Sequence, residues 1–307
     1  MSKISCPGLS RRGFLAAGAG AWLTVAAKPL LAQATAPDPA LAFDGNHILV
    51  ASSRIRRYDL TGDAQGEWAA PGIIRALATH PDRSGHVIAG LASGGVSISE
   101  DGGQTWETRA TGLSEGTVDA VAIAAGNPEL LYAAVRGDGL WKSENAGRSW
   151  VLAMDRPWLN EAEHDPLTLT SVNLETGMGG IWIYAGTGAG LTRVPDCFCR
   201  WQDVQPGNAM DALVSGEAPP AEAPLPEGEP VRALATAPSA PKVLYAALPS
   251  GLWMSADAGV VWSRLAQGSA SAVAVHSGNA DLLAALIDGH LKLSRDGGAN
   301  WAAIAAA

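Results

Sequence analysis

Ser99-Glu100-Asp101-Gly102-Gly103-Gln104-Thr105-Trp106 is the first of four windows with one pattern. The others are Ser143-Glu144-Asn145-Ala146-Gly147-Arg148-Ser149-Trp150, Ser255-Ala256-Asp257-Ala258-Gly259-Val260-Val261-Trp262 and Ser294-Arg295-Asp296-Gly297-Gly298-Ala299-Asn300-Trp301. Each reads Ser-x-Asp/Asn-x-Gly-x-x-Trp, and four hits at one spacing mark an internal repeat. The residue types suit a tight turn. The Ser hydroxyl and the Asp or Asn side chain can bond nearby backbone N–H groups. Gly accepts a positive φ. Trp opens the next strand and buries a large surface between neighbouring sheets. The windows are structural, at Ser99, Asp101, Gly103, Trp106, Ser143, Asn145, Gly147, Trp150, Ser255, Asp257, Gly259, Trp262, Ser294, Asp296, Gly298 and Trp301.

Around each window the same unit recurs. A first strand contains Ala76-Leu77-Ala78, Ala120-Val121-Ala122, Ala233-Leu234-Ala235 or Ala272-Val273-Ala274. A second contains Leu131-Tyr132-Ala133-Ala134, Ile183-Tyr184-Ala185-Gly186 or Leu244-Tyr245-Ala246-Ala247. A Gly turn, a third strand, the window and a Trp strand follow. Four short strands repeated every ~40–50 residues predict a β-propeller. Two weaker copies complete the count. Gly190-Leu191-Thr192 leads to Trp201, with Val194, Asp196 and Phe198 where Ser, Asp and Gly belong; Ala40 to Trp68 makes a first blade without the window. The expectation is an all-β propeller of six four-stranded blades, or seven if a loop conceals another.

Composition agrees with one large domain. Apolar residues make up 47% and charged residues 17%, which excludes a mostly disordered chain. Residues 1–34 read as a twin-arginine export leader. Arg11-Arg12 precede an uncharged run from Gly13 to Ala27, too short to span a bilayer, and Ala32-Gln33-Ala34 is a small-x-small cleavage site. The expectation is a single propeller domain over 35–307, periplasmic or secreted, that meets the twin-arginine translocase during export and keeps no transmembrane segment after cleavage. Removing the leader's four basic residues takes the formal charge from −9 to −13. So acidic a surface repels phosphate backbones and argues against nucleic acid. Residues 155–166 read as an extended acidic connection, and 203–230 as a Pro/Ala/Glu-rich solvated loop.

The four windows resemble the Asp boxes of the Asp-box (BNR-repeat) propeller superfamily. Its members include sialidases, sortilin-type receptors, xyloglucan hydrolases and photosystem II assembly-and-stability factors. The compact loops and the export signal look most like the assembly-factor branch. That resemblance implies a non-catalytic scaffold or assembly factor that holds a protein partner in a membrane or redox complex. The alternative it leaves is an exported glycoside hydrolase.

The candidate residues divide between these two readings. A sialidase needs an arginine cluster and a Tyr nucleophile. Arg54-Ile55-Arg56 lacks the Pro of the family's signature, and Tyr132, Tyr184 and Tyr245 share one repeat position, so they read as core; Tyr58 is the irregular one. Asp119 and Asp138 are the carboxylates best placed for another hydrolytic pair, with ordinary turn or rim residues as the plainer reading. No catalytic residue, metal or cofactor is assigned. The position before each inner strand reads Pro39, Arg75, Asp119, Thr170, Arg232 and Ser271. Arg75, Asp119 and Arg232 are therefore the candidates for a charged ring at the channel mouth, one that either grips a polar partner or seals the channel. Cys197 and Cys199 suit a turn-holding disulfide or a soft-metal pair. His164 with Glu161, Glu163 and Asp165 suits a divalent ion or a solvated acidic loop.

Overall fold

The computed structural model describes residues 38–174, 180–204 and 223–306, all within the unit Pro37–Ala307. The expected leader, residues 1–34, and residues 205–222 of the Pro/Ala/Glu-rich loop lie outside them. Six antiparallel four-stranded sheets follow one another along the chain. Blade 1 is β1 (Ala40–Asp44), β2 (His47–Ala51), β3 (Arg54–Asp59) and β4 (Ala64–Ala69). Blade 2 is β5 (Ile74–His80), β6 (Arg83–Leu91), β7 (Val96–Ser99) and β8 (Glu107–Thr108). Blade 3 is β9 (Val118–Ala124), β10 (Asn127–Val135), β11 (Gly139–Ser143) and β12 (Val151–Met154). A hairpin, β13 (Trp158–Leu159) and β14 (Ala162–Glu163), stands where an extended connection was expected. Blade 4 is β15 (Pro166–Asn173), β16 (Ile181–Thr187), β17 (Gly190–Pro195) and β18 (Gln202–Asp203). Blade 5 is β19 (Ala233–Ala237), β20 (Ala240–Leu248), β21 (Gly251–Ser255) and β22 (Ser263–Ala266). Blade 6 is β23 (Ala270–His276), β24 (Asn279–Ile287), β25 (His290–Ser294) and β26 (Ala302–Ala306).

The inner strands β1, β5, β9, β15, β19 and β23 neighbour one another around a closed ring, with β1 against β23. Both faces of an inner strand meet another blade, so these strands lack the polar–apolar alternation of a half-exposed sheet. β9 is buried at all seven residues. Alanines suit the crowded axis, and the second strands bring the larger Leu, Ile and Tyr. The remaining central cavity is about 180 Å3 and is lined by residues such as Leu77, Val121, Leu169, Leu234 and Val273.

In all four windows the serine makes the same three bonds. In blade 2, Ser99 Oγ accepts from the N–H groups of Asp101 and Gly103 and donates to Asp101 Oδ1. Asp101 accepts from the N–H groups of Gln104 and Thr105 and from the Thr105 hydroxyl. Gly103 has φ +93°, as the turn requires. Burial alone would raise the Asp101 pKa, but these bonds hold it down to about 2. Asp257 and Asp296 are lowered as well, with hydrogen bonds outweighing burial. Carboxylates depressed in the folded state contribute stability above the unfolded value of 3.8 and lose it as pH falls through the folded values. The Trp sits one residue before its strand. Trp106, Trp262 and Trp301 return their indole N–H to the box glycine's carbonyl. Ser255 is buried and bonds Gly259 N–H at 2.9 Å. Ser255→Ala strands that buried donor and is expected to cost about 1–3 kcal/mol in chemical denaturation; an unchanged midpoint would deny the hydroxyl its role.

The three repeated tyrosines are core residues, at 0–3% exposure. Each sits opposite a first-strand residue in register: Tyr132 with Ala122, Tyr184 with Thr170, Tyr245 with Ala235. Their hydroxyls cross to the next blade. Tyr132 donates to Asp196 Oδ1 at 2.7 Å, Tyr184 to the Ala258 carbonyl at 2.9 Å, and Tyr245 to the Ala280 carbonyl at 3.5 Å. Asp196 is the surviving acid of the decayed fourth box, and Lys142 of blade 3 lies 3.6 Å from it.

The seam between blades 6 and 1 is built differently. Among the described residues, blades 6 and 1 share no strand, since each blade is continuous in sequence. The register places Ala284 in blade 6 where the tyrosine stands in blades 3, 4 and 5. Leu41, Phe43, Ile48, Val50 and Tyr58 pack against Leu282, Leu286, Leu291 and Leu293. Phe43 meets the edge of His276, which bonds Asn46, and Arg295 donates to the Leu60 carbonyl.

Candidate functional site

β9 carries a bulge. Val118 pairs with Val135 and Ala120 with Ala134, which leaves Asp119 without a partner across the ladder. The same skip occurs at Arg75 in β5, at Leu167 in β15 and at Ser271 in β23. A bulge re-aims the side chain of the extra residue, here near the end of the inner strand. Leu167 replaces Thr170 in the expected series, because Thr168-Leu169-Thr170 lacks the Ala-x-Ala pattern used to count back in the other blades.

Asp119 is buried, with its side chain 2% exposed. Its Oδ1 accepts from Arg75 Nε and Nη2 at 3.2 and 3.1 Å. Arg136, from the turn between β10 and β11, clamps both oxygens at 2.7 and 2.6 Å. The bond to Asp119 raises the Arg136 pKa, against the opposing effect of burial. The Arg75 and Arg136 side chains are 30% and 51% exposed, so one sealed carboxylate orients two cationic side chains that reach solvent. Arg136 was missed in the sequence. Its signal is positional: the equivalent turn residues are Ser52, Ala92, Gly188, Pro249 and Asp288, so Arg136 is the one basic residue there. Arg232 does not join the pair; its guanidinium donates to Ser269 Oγ at 3.0 Å.

The other candidate acids are tied elsewhere. Asp138 accepts from the Trp141 indole at 2.8 Å. Asp165 accepts from Gly137 N–H at 2.7 Å and lies 3.6 Å from Arg156, which also pairs with Glu163. His164 Nε2 contacts the Leu159 carbonyl. The acidic stretch is thus a stapled hairpin. Among the described residues, no group of three or more His, Cys, Asp or Glu is placed to hold a metal ion. No helix among them is long and apolar enough to cross a membrane.

Arg54 and Arg56 converge on the single carboxylate of Glu67, which ties both side chains down on blade 1 and offsets one of their two charges. Burial raises the phenol pKa of Tyr132, Tyr184 and Tyr245, the opposite of what a nucleophile needs. Tyr58 is buried in the blade 6–blade 1 seam. Cys197 and Cys199 are joined as a disulfide, with Cα atoms 5.5 Å apart. Phe198 between them takes φ +51° and packs near Tyr132, with Lys142 over its ring. The bridge closes the turn that Ser and Gly close in the other boxes.

No family model matches the chain, and no curated protein matches it. Solved structures do. A GH74 xyloglucanase from Xanthomonas campestris has a TM-score of 0.55 at 15% identity, over 88% of this chain and 54% of that one. A structural genomics protein of unknown function from Bacteroides thetaiotaomicron has a TM-score of 0.58 at 12% identity, over 88% and 70%. YCF48 bound to D1 peptide has a TM-score of 0.46 at 15% identity, over 84% and 74%. The chain spans about half the length of the xyloglucanase, and less of two further GH74 enzymes. At these identities the likenesses with TM-scores above 0.5 establish the β-propeller fold and nothing further.

Proposed function

We propose that this chain is a non-catalytic, exported propeller of the Asp-box type. It binds a protein partner through the Arg75–Asp119–Arg136 cluster and serves as a scaffold or assembly factor for a membrane or redox complex. The observation that carries this reading is the state of Asp119. Four hydrogen bonds from two arginines, three on Oδ1 and one on Oδ2, cover a side chain that is 2% exposed, so it is withdrawn from a substrate's reach. Asp138, its suggested catalytic partner, is occupied by Trp141. The arrangement instead holds two guanidinium groups at fixed spacing, which suits a carboxylate or another anionic group on a partner. On the twin-arginine reading of residues 1–34, that encounter occurs in the periplasm.

The test is affinity capture of the tagged protein from its native host, with mass spectrometry of what co-purifies. Removing both arginines alone would strand a buried carboxylate. Two variants avoid that. Arg136→Ala leaves Asp119 bonded to Arg75, and Arg75→Gln with Asp119→Asn and Arg136→Gln removes all three charges together. Each is expected to lower enrichment of one defined complex by about tenfold or more, as loss of a central Arg anchor does, with thermal unfolding little changed. Undiminished enrichment in both variants would overturn the cluster's role. Turnover on a glycoside panel that is lost in Asp119→Asn would overturn the non-catalytic reading.

A further inference from the structure

Beside the blade 3–blade 4 boundary, away from the arginine cluster, lies a groove of about 600 Å3. It is lined by Met154, Asp155, Arg156, Trp158, Arg200, Trp201, Gln202 and Asp203. Trp158 is 66% exposed, the highest value among the exposed large hydrophobics of the described residues. It is not on a loose loop. β13 and β14 pair Trp158 with Glu163 and Leu159 with Ala162 around a two-residue turn, Asn160-Glu161, at φ +48° and +63°. The hairpin base is fixed by the Arg156–Glu163 and Arg156–Asp165 pairs, by Asp165 to Gly137 N–H, and by His164 N–H to the Pro157 carbonyl. Across the groove, Trp201 donates its indole N–H to the Asp155 carbonyl at 2.8 Å, which fixes that ring as well. A non-Gly turn residue at positive φ costs free energy, as does leaving an indole in water. Both are maintained here on a braced support.

From this geometry we infer a second binding site, a groove for a neutral oligosaccharide with Trp158 as its stacking platform. The polar lining decides among ligand classes. Among the described residues, the side chains of Asp155, Arg200, Gln202 and Asp203 have no hydrogen-bond or ion-pair partner, whereas Arg156 is neutralised by the hairpin's own acids. Asp155 and Asp203 repel an anion, and Arg200 repels a cation. Donors and acceptors of both kinds beside two indoles match a sugar, which offers hydroxyls at its edge and C–H groups on its face. An extended peptide adds to a free strand edge through backbone bonds, and β18 here has only two residues. The site therefore engages side-chain chemistry and not a backbone ladder. It is independent of the arginine cluster, whose residues do not line it.

The experiment is native affinity electrophoresis of the full-length exported protein in gels containing soluble xyloglucan, mixed-linkage β-glucan, xylan or glycol chitin. Cello-, xylo-, malto- and chito-hexaose are titrated in parallel by calorimetry. At least one probe is expected to retard the protein. Trp158→Ala should weaken its binding about tenfold or more, as loss of a buried aromatic anchor does, and Trp158→Phe should restore part of it. Because Trp158 is exposed, neither change should move the unfolding midpoint. Arg136→Ala should bind the probe normally, which separates this site from the protein-capture reading. No binding to any probe, or binding unaltered by Trp158→Ala, would overturn the proposal. So would Trp158-dependent binding to a peptide array without saccharide binding.

Discussion

Trp150→Ala is expected to lower the stability of the propeller by about 3–5 kcal/mol, the usual cost of truncating a buried aromatic. The residue is 3% exposed and packs with Ile88, Ile98 and Leu131 between blades 2 and 3. It differs from the other box tryptophans in where its polar groups go. Its indole N–H donates to the Arg109 carbonyl and its backbone N–H to the Thr111 carbonyl, both on the segment that leaves blade 2. The ring therefore joins two blades, while Trp106 bonds within its own box. Thermal unfolding followed by near-ultraviolet circular dichroism should show a fall on the order of 10 °C. Trp106→Ala should cost less. Equal losses at the two positions would mean that the inter-blade bonds contribute nothing beyond burial.

Ile48→Ala is expected to cost about 2–5 kcal/mol by leaving a cavity in the seam between blades 6 and 1. Ile48 is fully buried in that seam. The more telling effect is where the protein opens. Without a shared strand or a tyrosine tie, side-chain packing carries most of this closure. Hydrogen exchange should rise first in β1, β2, β25 and β26 of the variant, while β10 and β16 keep their protection. A uniform rise over all six blades would show that the ring unfolds only as a whole.

The boxes were legible in the sequence because their chemistry is local. Eight residues contain the hydroxyl, the carboxylate or amide, the glycine and the indole. The six blades followed from the spacing, including the decayed fourth box, whose Asp196 keeps its place because Tyr132 of another blade uses it. The site was harder to read because its bonds are long-range. Asp119 meets Arg75 across 44 residues and Arg136 across 17. A bulge sets the aim of Asp119, and counting residues back from Ala-x-Ala does not reveal it. The same count misplaced Thr170 and gave Arg232 a role that its bond to Ser269 does not support. The hairpin presenting Trp158 was hidden for another reason: its turn uses Asn160-Glu161 in place of the Asn-Gly that signals such turns.

The tyrosine ties also bear on the order in which blades can stand. Two of the three acceptors, at Ala258 and Ala280, are backbone carbonyls that almost any residue supplies. A blade copied or moved to those places would find its bond waiting, so these joints are interchangeable. The acceptor at Asp196 is a side chain, and Lys142 engages it from the same preceding blade. That joint is addressed: blade 4 fits best behind a neighbour that carries both Tyr132 and Lys142. The tyrosine joints thus comprise two generic couplings and one keyed coupling, and among these three a shuffled version of this propeller should tolerate rearrangement least readily between blades 3 and 4.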